Sequence, residues 1–526
     1  MRGDVMQSSQ SWPFRIALPV VLACAGGCTQ SKKAAPTASA WKPGITYATP
    51  SSSVYRGLLD KRGLIHSHNI HSHDACLDMG EPKTGDVSTG AANIACLNEF
   101  RNDLCAAQID YDFLSDHPAF FEDTEYPDQA GIAANASNPN FLEGDNVMLY
   151  TQSANDQLVV RNGSPTANLM SCSNGQKTLI IPGNEGDNLM PVGLERHAAA
   201  DSGSRDAVYN TNTEASSPVD YGAVNAAIAA EKAQNAVVLM AHPEEVAVQD
   251  LVTMPIDGFE MYNLHANALF TSYGFAAVGA LIANEGQIDS EKAAGQPVSA
   301  YAESQIPTNP NTVFLAIFNE DPRYLQRWAN AASQGAKRVM TMGSDCHMNS
   351  IPSVMSDGMY GDQYQRVMRW FSNHLLVTPN ADGSWDDVSL KSALKAGRLY
   401  GAFEALGTPV GFDYHATTND AVAEMGDSVA LSANPTLSVK LPAVQNLDKS
   451  KEAPAFTVRI LRADGLNWDV VASGSSDLSY TPTQPGAYRA EIREIPYHLR
   501  EDLGPVASSY LSHDYVWIYA NAIYVN

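Results

Sequence analysis

Four of the 13 histidines of this 526-residue chain lie within eight positions, His66-Ser67-His68-Asn69-Ile70-His71-Ser72-His73, just past the apolar pair Leu64-Ile65. On a strand alternate residues share a face, so His66 and His68 point the same way. Two imidazoles on one face at a strand end make half of a metal site. The same residue types recur downstream, each time just after an apolar run. Ser115-Asp116-His117 follows Tyr111 to Leu114, and Glu185 follows Thr178 to Ile181. His242 follows Ala236 to Met240, and Asp345 and His347 follow Arg338 to Met342. Imidazoles combined with carboxylates suit Zn²⁺, Mn²⁺ or Fe²⁺, whereas carboxylates alone favour Mg²⁺ or Ca²⁺. Two such ions about 3.5–4 Å apart can share a hydroxide as nucleophile and polarise a P=O or C=O group. The chemistry suggested is metal-dependent hydrolysis, with no catalytic side chain separate from the metal ligands.

The elements that must position these residues follow from periodicity. Between about 60 and 400, short apolar runs alternate with helical patterns. Ile94, Leu97, Phe100 and Leu104 share one helix face, Asp220 can cap a helix carrying Val224 and Ile228, and 320–335 reads as helical. Strands alternating with helices imply βαβ units and a parallel sheet. The candidate ligands then fall at strand C-terminal ends, on one face, where barrel active sites sit. Four polar stretches, 76–92, 119–176, 186–219 and 286–312, are expected as loops over that face. From about 406, alternating runs at Leu437 to Leu441, Phe456 to Leu461, Tyr488 to Ile492 and Val516 to Tyr519 predict a small antiparallel β-sandwich, with Tyr515, Trp517 and Tyr519 in its core.

A net charge of −25 argues against nucleic-acid partners, whose binders carry basic patches. A small-molecule substrate is expected. The apolar run Ile16 to Ala25 is shorter than the roughly 20 residues needed to span a bilayer and fits a signal-peptide core. Gly26-Gly27 before Cys28 is similar to a bacterial lipoprotein cleavage site, with Cys24 as the alternative. Residues 1–28 are thus read as a lipoprotein signal and 29–55 as a tether. The chain is expected to be exported and held to the envelope, periplasmic or outer membrane, only by a lipid anchor. Cys76, Cys96, Cys105 and Cys172 allow three disulfide pairings, and Cys346 reads as a buried free thiol. His265, His374, His415, His498 and His513 stand isolated and are read as surface or packing residues. Arg62 and Arg196 are read as structural.

In this order, His66-x-His68, Ser115-Asp116-His117, Glu185, His242-Pro243 and Ser344-Asp345-x-His347 resemble the motifs of the PHP (polymerase and histidinol phosphatase) family over roughly residues 60 to 400. The tail Trp517 to Val525 is similar to that of the CehA/McbA-type subgroup. The resemblance implies an α/β fold: a distorted (β/α)7 barrel over 56–404, followed by the β-sandwich over 405–526. It also implies two or three divalent ions (Mn, Zn or Fe). His66 and His68 would be ligands from the first strand, Asp74 the closing ligand of the first motif, and His117 that of the second. Glu185 would bridge ions, His197 would be the next histidine, and His242, Asp345 and His347 would complete the set. Asp116, Glu244, Glu260, His71 and His73 are candidates for supporting the ligands or lining the pocket. The activity expected is hydrolysis of a small phosphoester. The alternatives are hydrolysis of a carbamate, ester or amide at the same centre, or non-catalytic binding of metal or glycan at the cell surface.

Overall fold

In a computed structural model the described residues are 39–50, 54–72, 74–76, 94–122, 156–269, 272–318, 320–348, 351 and 354–526. The signal, residues 29–38 and 51–53 of the tether, and His73 lie outside them. Leu58–Ser67 (β1) runs parallel to Tyr111–Phe113 (β2), with Gly63 opposite Tyr111, and β2 runs parallel to Lys177–Ile181 (β4, after Ser164–Ser171, β3). On its other edge β1 pairs in parallel with Val339–Cys346 (β8). Parallel pairing continues from β8 to Gly258–Asn263 (β7) and on to Val237–Met240 (β6), where Leu189–Val192 (β5) joins antiparallel. An isolated bridge joins Gly183, just beyond β4, to Val192 in β5. The strands β6, β7 and β8 are buried along their whole length, as covered parallel strands must be, which is why they read as near-continuous apolar runs.

The expected helices form where capping and periodicity placed them. Ile94–Ala106 (α1) buries Leu97, Phe100 and Leu104. In Tyr221–Ala233 (α2) the Asp220 carboxylate accepts from the Gly222 and Ala223 amides, and Val224 and Ile228 face the core. Leu264–Leu269 (α3) follows β7 at once. Pro322–Ser333 (α4) starts at Asp321, which accepts from the Arg323 amide, and buries Tyr324 and Trp328. A short helix, Tyr364–Val367 (α5), precedes Ser372–Val377 (β9), which lies antiparallel on β1. Asp387–Lys395 (α6) has a reciprocal capping box between Asp386 and Ser389 and leads to Leu399–Ala402 (β10).

Three of the four stretches expected as loops carry regular structure. Gln157–Arg161 and β3 form a hairpin whose two-residue turn, Asn162-Gly163, has φ of 50° and 80°, and β3 extends the sheet antiparallel to β4. Stretch 186–219 holds β5 and a helix, Ser202–Tyr209, and the helix Ser272–Ala293 runs into 286–312. The polar composition of the surrounding residues concealed these elements, although β5 is buried along its whole length.

Ala40–Asn526 forms one compact unit. Its C-terminal part is mainly antiparallel, with one short parallel pairing of Ser428–Val429 on Tyr524 and Val525. Asp413–Thr417 (β11), Val422–Glu424 (β12), Thr436–Lys440 (β13) and, after Ala455–Asp464 (β14) and Asn467–Gly474 (β15), Leu478–Tyr480 (β16) make a four-stranded sheet. Gly486–Ile495 (β17) pairs with β14 and with Tyr515–Ala520 (β18), and β18 pairs with β10. The protein is therefore a mixed α/β fold in which one large mixed sheet continues into antiparallel strands. Tyr515, Trp517 and Tyr519 are buried as expected. No helix among the described residues is long and apolar enough to cross a membrane.

Candidate metal centre

The parallel strands β1, β2, β4, β6 and β8 deliver their polar ends to one face of the sheet. Glu185 and Asp345 stand at the middle. Glu185 Oε2 lies 2.9 Å from His66 Nε2 and 3.3 Å from His68 Nε2, and Oε1 lies 3.6 Å from His242 Nε2. Asp345 Oδ1 is 3.2 Å from His66 Nε2 and 3.3 Å from His68 Nε2. Its Oδ2 is 3.2 Å from both His242 Nε2 and His265 Nδ1. Asp74 Oδ2 lies 3.2 Å from His347 Nε2 and 3.5 Å from His117 Nε2.

Three groups of donors are compact enough to hold an ion: His66, His68, Glu185 and Asp345; His68, Asp74, His117 and His347; and His265, Asp345 and His347. Ligands about 2.1 Å from a tetrahedral ion stand roughly 3.4 Å apart, which is the spacing seen here. His68 Nε2, Glu185 Oε1 and His347 Nε2 are buried with ionisable neighbours at 3.2–3.6 Å but make no well-aligned hydrogen bond among the described residues. Buried polar atoms are seldom left so, and a cation would supply the missing partner.

The inward nitrogens are aimed from behind. His66 Nδ1 meets Glu260 Oε1 at 2.6 Å and His242 Nδ1 meets Glu244 Oε1 at 3.3 Å. His117 Nδ1 donates to the Glu185 carbonyl and His347 Nδ1 to the Asp345 carbonyl, each at 2.9 Å. His68 Nδ1 sits 3.3 Å from Ser72 Oγ. Such partners fix ring orientation and raise ligand basicity. Glu260 also accepts from the His242 amide at 3.2 Å and from Asn263 Nδ2 at 3.1 Å, so one carboxylate orders two strand ends.

Backbone strain accompanies this aim. His66, His242 and Asp345 have φ of 70°, 43° and 49°, in the left-handed region that costs non-glycine residues on the order of 1–3 kcal/mol. Each turns its side chain out of the strand alternation toward the common centre. Gly343 is needed beside them, because a Cβ there would stand 1.9 Å from Glu260 Oε1 and 3.1 Å from His66 Nδ1.

Burial disfavours charge on every one of these groups, and their neighbours then decide the outcome. Around His66 the carboxylates Glu185, Asp345 and Glu260 outweigh burial and hold the ring well above its ordinary range. His68 goes the other way: burial and the nearby His347 bring it down to about 4, leaving a neutral ring with a lone pair to offer. Glu185 and Asp345, ringed by imidazoles, are held well below the usual carboxylate range despite their burial. The set is thus rich in electron-pair donors and its two central acids are ionised.

Seven of the nine expected ligands fall in these groups, and an eighth, His242, stands beside them at Asp345 and Glu185. The ninth, His197, lies in none of the three groups; its Nδ1 faces the Tyr209 hydroxyl at 3.2 Å and its ring packs on Phe121. His265, read from the sequence as a packing residue, takes a place in the centre instead. The signal was present, since His265 follows strand β7 by two residues as His242 follows β6. The immediate start of α3 hid it. Glu260 stands behind His66 and Glu244 behind His242, whereas Asp116 accepts from the Asn69 amide at 2.7 Å and so orders the loop after β1. His71 is buried with its amide bonded to Asn69 Oδ1. Arg62 is paired with buried Glu404, and Arg196 donates to the Pro165 carbonyl. His374 is buried between Asp60 and Tyr400, and His498 is buried with Nε2 bonded to the Leu406 carbonyl. His415 pairs with Asp413, whereas His513 is exposed.

The four cysteines pair as Cys76–Cys96 and Cys105–Cys172, and Cys346 is a buried free thiol pushed by burial up to about 12. Comparison of the chain with protein-family models, curated proteins and solved structures finds no match.

Proposed function

We propose that the protein is an exported metal-dependent hydrolase of PHP type, acting on a small phosphoester. The observation that carries this reading is the convergence of imidazole nitrogens on two shared carboxylates, Glu185 and Asp345, at strand ends. The proposed fold is the distorted (β/α)7 barrel followed by a β-sandwich. The strand succession β4-β2-β1-β8-β7-β6-β5 and the Gly183–Val192 bridge support it. Two disulfides favour export to an oxidising compartment, with lipid anchoring at Cys28 or Cys24 as part of the reading.

In this reading His66, His68, Glu185 and Asp345 hold one ion, and His68, Asp74, His117 and His347 another. His265, Asp345 and His347 would extend the centre to a third, with His242 beside Asp345. Bound divalent cations supply Lewis acidity and a water acidified toward neutrality. Glu260 keeps His66 and the His242 backbone in register. Glu185 and Asp345, ionised and shared, balance positive charge between neighbouring positions. The neutral His68 offers its lone pair without first losing a proton.

A carbonyl substrate is the second reading. It is favoured by the commitment of Arg62 and Arg196 to structural partners, which leaves anion recognition to the metals.

The test uses the chain lacking residues 1–28. Metal content is measured after growth with manganese and zinc, followed by assays on a phosphomonoester, a phosphodiester and an aryl carbamate. We expect at least two ions per chain, turnover abolished by chelation, and loss of about 10³-fold or more in the His66→Ala/Asp345→Ala variant. A folded chain without metal, or full activity in that variant, overturns the reading.

A further inference from the structure

Asp74 is the one ligand of the proposed centre that stands on neither a strand nor the residues directly continuing one. Its side chain is about one-third exposed, and Ser72 Oγ donates to its Oδ1 at 2.7 Å. Two residues later Cys76 adopts φ 62° and donates its amide to the His347 carbonyl at 2.9 Å. Its sulfur is bonded to Cys96, in the first turn of α1.

The helix that receives this bridge is itself fixed. Cys105, near its other end, is bonded to Cys172, the residue after β3. On its flank Phe100 packs edge-to-face on Tyr364 of α5, with ring centroids 5.0 Å apart. The Tyr364 hydroxyl donates to the His68 carbonyl at 2.8 Å. Helix α1 is thus a brace, stapled to the sheet at one end and to the Asp74 segment at the other.

We infer that the Cys76–Cys96 disulfide positions Asp74, so that a divalent cation at the His68–Asp74–His117–His347 group depends on the bridge while cations at the other groups do not. The inference rests on the metal-centre reading above. The other ligands hold their places through strand pairing and buried hydrogen bonds. Asp74 is held by the short 74–76 segment and the Ser72 hydroxyl, and through Cys76 by one amide bond and this bridge. Opening the bridge frees a link across 20 residues and raises the number of conformations in which Asp74 is away from His347.

The experiment compares four proteins lacking residues 1–28: wild type, Cys76→Ser/Cys96→Ser, Asp74→Ala, and Cys105→Ser/Cys172→Ser. Each is equilibrated with Mn²⁺, desalted and analysed for manganese per chain, with circular dichroism and melting curves confirming the fold. Cys76→Ser/Cys96→Ser is expected to lose one equivalent relative to wild type. Asp74→Ala loses the same equivalent, and combining the two changes loses no more. Cys105→Ser/Cys172→Ser melts earlier but keeps the wild-type count.

A second measurement covers a variant that fails to fold. In metal-loaded Cys105→Ser/Cys172→Ser protein, only one bridge remains to be opened by a phosphine reductant, and one manganese should leave in step with the appearance of two thiols. Wild-type protein without metal overturns the metal-centre reading. Metal present in wild type and retained in full after loss of the Cys76–Cys96 bridge overturns this inference alone.

Discussion

Glu260 stands behind the candidate ligands and holds two of them in place. Its two oxygens hold the His66 ring and the His242 amide, at 2.6 and 3.2 Å. Glu260→Gln keeps the shape but replaces one acceptor oxygen with a donor NH₂, so one of these bonds is lost. Partners behind metal-ligating histidines typically contribute 10- to 100-fold in affinity. We expect manganese affinity to fall by about that factor with melting little changed. Gly343→Ala should act through the same group, because its methyl would occupy the place of Glu260 Oε1. An isothermal titration showing wild-type affinity in both variants would remove Glu260 from this role. The site itself was legible where strand ends announced it: His66, Glu185, His242 and Asp345 each follow an apolar run. The role of Gly343 was not legible, since it depends on a contact between strands that share no sequence neighbourhood.

At the scale of elements, local rules read well wherever an element is two-sided or fully buried. Asp220 caps α2 and Asp321 caps α4, as the periodic residues behind them required. The hairpin at Asn162-Gly163 falls in a stretch expected as loop, although Asn-Gly is a strong signal for a two-residue turn. The surrounding polar composition concealed it. Glu231 on α2 was not legible at all, since charged residues in a helix normally face water. It is fully buried, and neither oxygen has a hydrogen-bond partner among the described residues. Burial alone pushes it well above the ordinary carboxylate range. A carboxyl raised on folding contributes its full share of stability below its unfolded value of about 4.5 and loses it as pH climbs toward the raised value. Glu231→Gln removes that ionisation. The variant should match wild type near pH 4 and exceed it by about 1–3 kcal/mol near pH 8 in urea denaturation. An offset that does not change with pH would show that Glu231 ionises freely in the folded protein.

For the molecule as a whole, composition and periodicity announce a change of character near residue 406, but not how the two parts meet. That depends on pairings between distant segments. Strand β10 joins β18, and Asn521, beyond β18, reaches strand β8. The Asn521 Oδ1 accepts from the Met340 amide at 2.9 Å, and Nδ2 donates to the Met340 carbonyl at 2.8 Å and the Leu399 carbonyl at 3.2 Å. Strand β8 carries Asp345 and leads directly into His347, so the last residues of the chain brace the strand that positions two of the candidate ligands. Asn521→Ala leaves the buried Met340 amide and carbonyl short of partners, each costing about 1–3 kcal/mol if left unmade, while the Leu399 carbonyl keeps the Asn521 backbone amide. We expect this variant to lose about 2–4 kcal/mol in urea denaturation and to release manganese at lower denaturant than wild type. A chain ending at residue 404 would expose the edge of β10 as well as removing Asn521, and it should be recovered insoluble or without metal. A soluble 56–404 fragment binding manganese as wild type does would show that the barrel reading describes an independent domain, with the C-terminal strands dispensable to the centre.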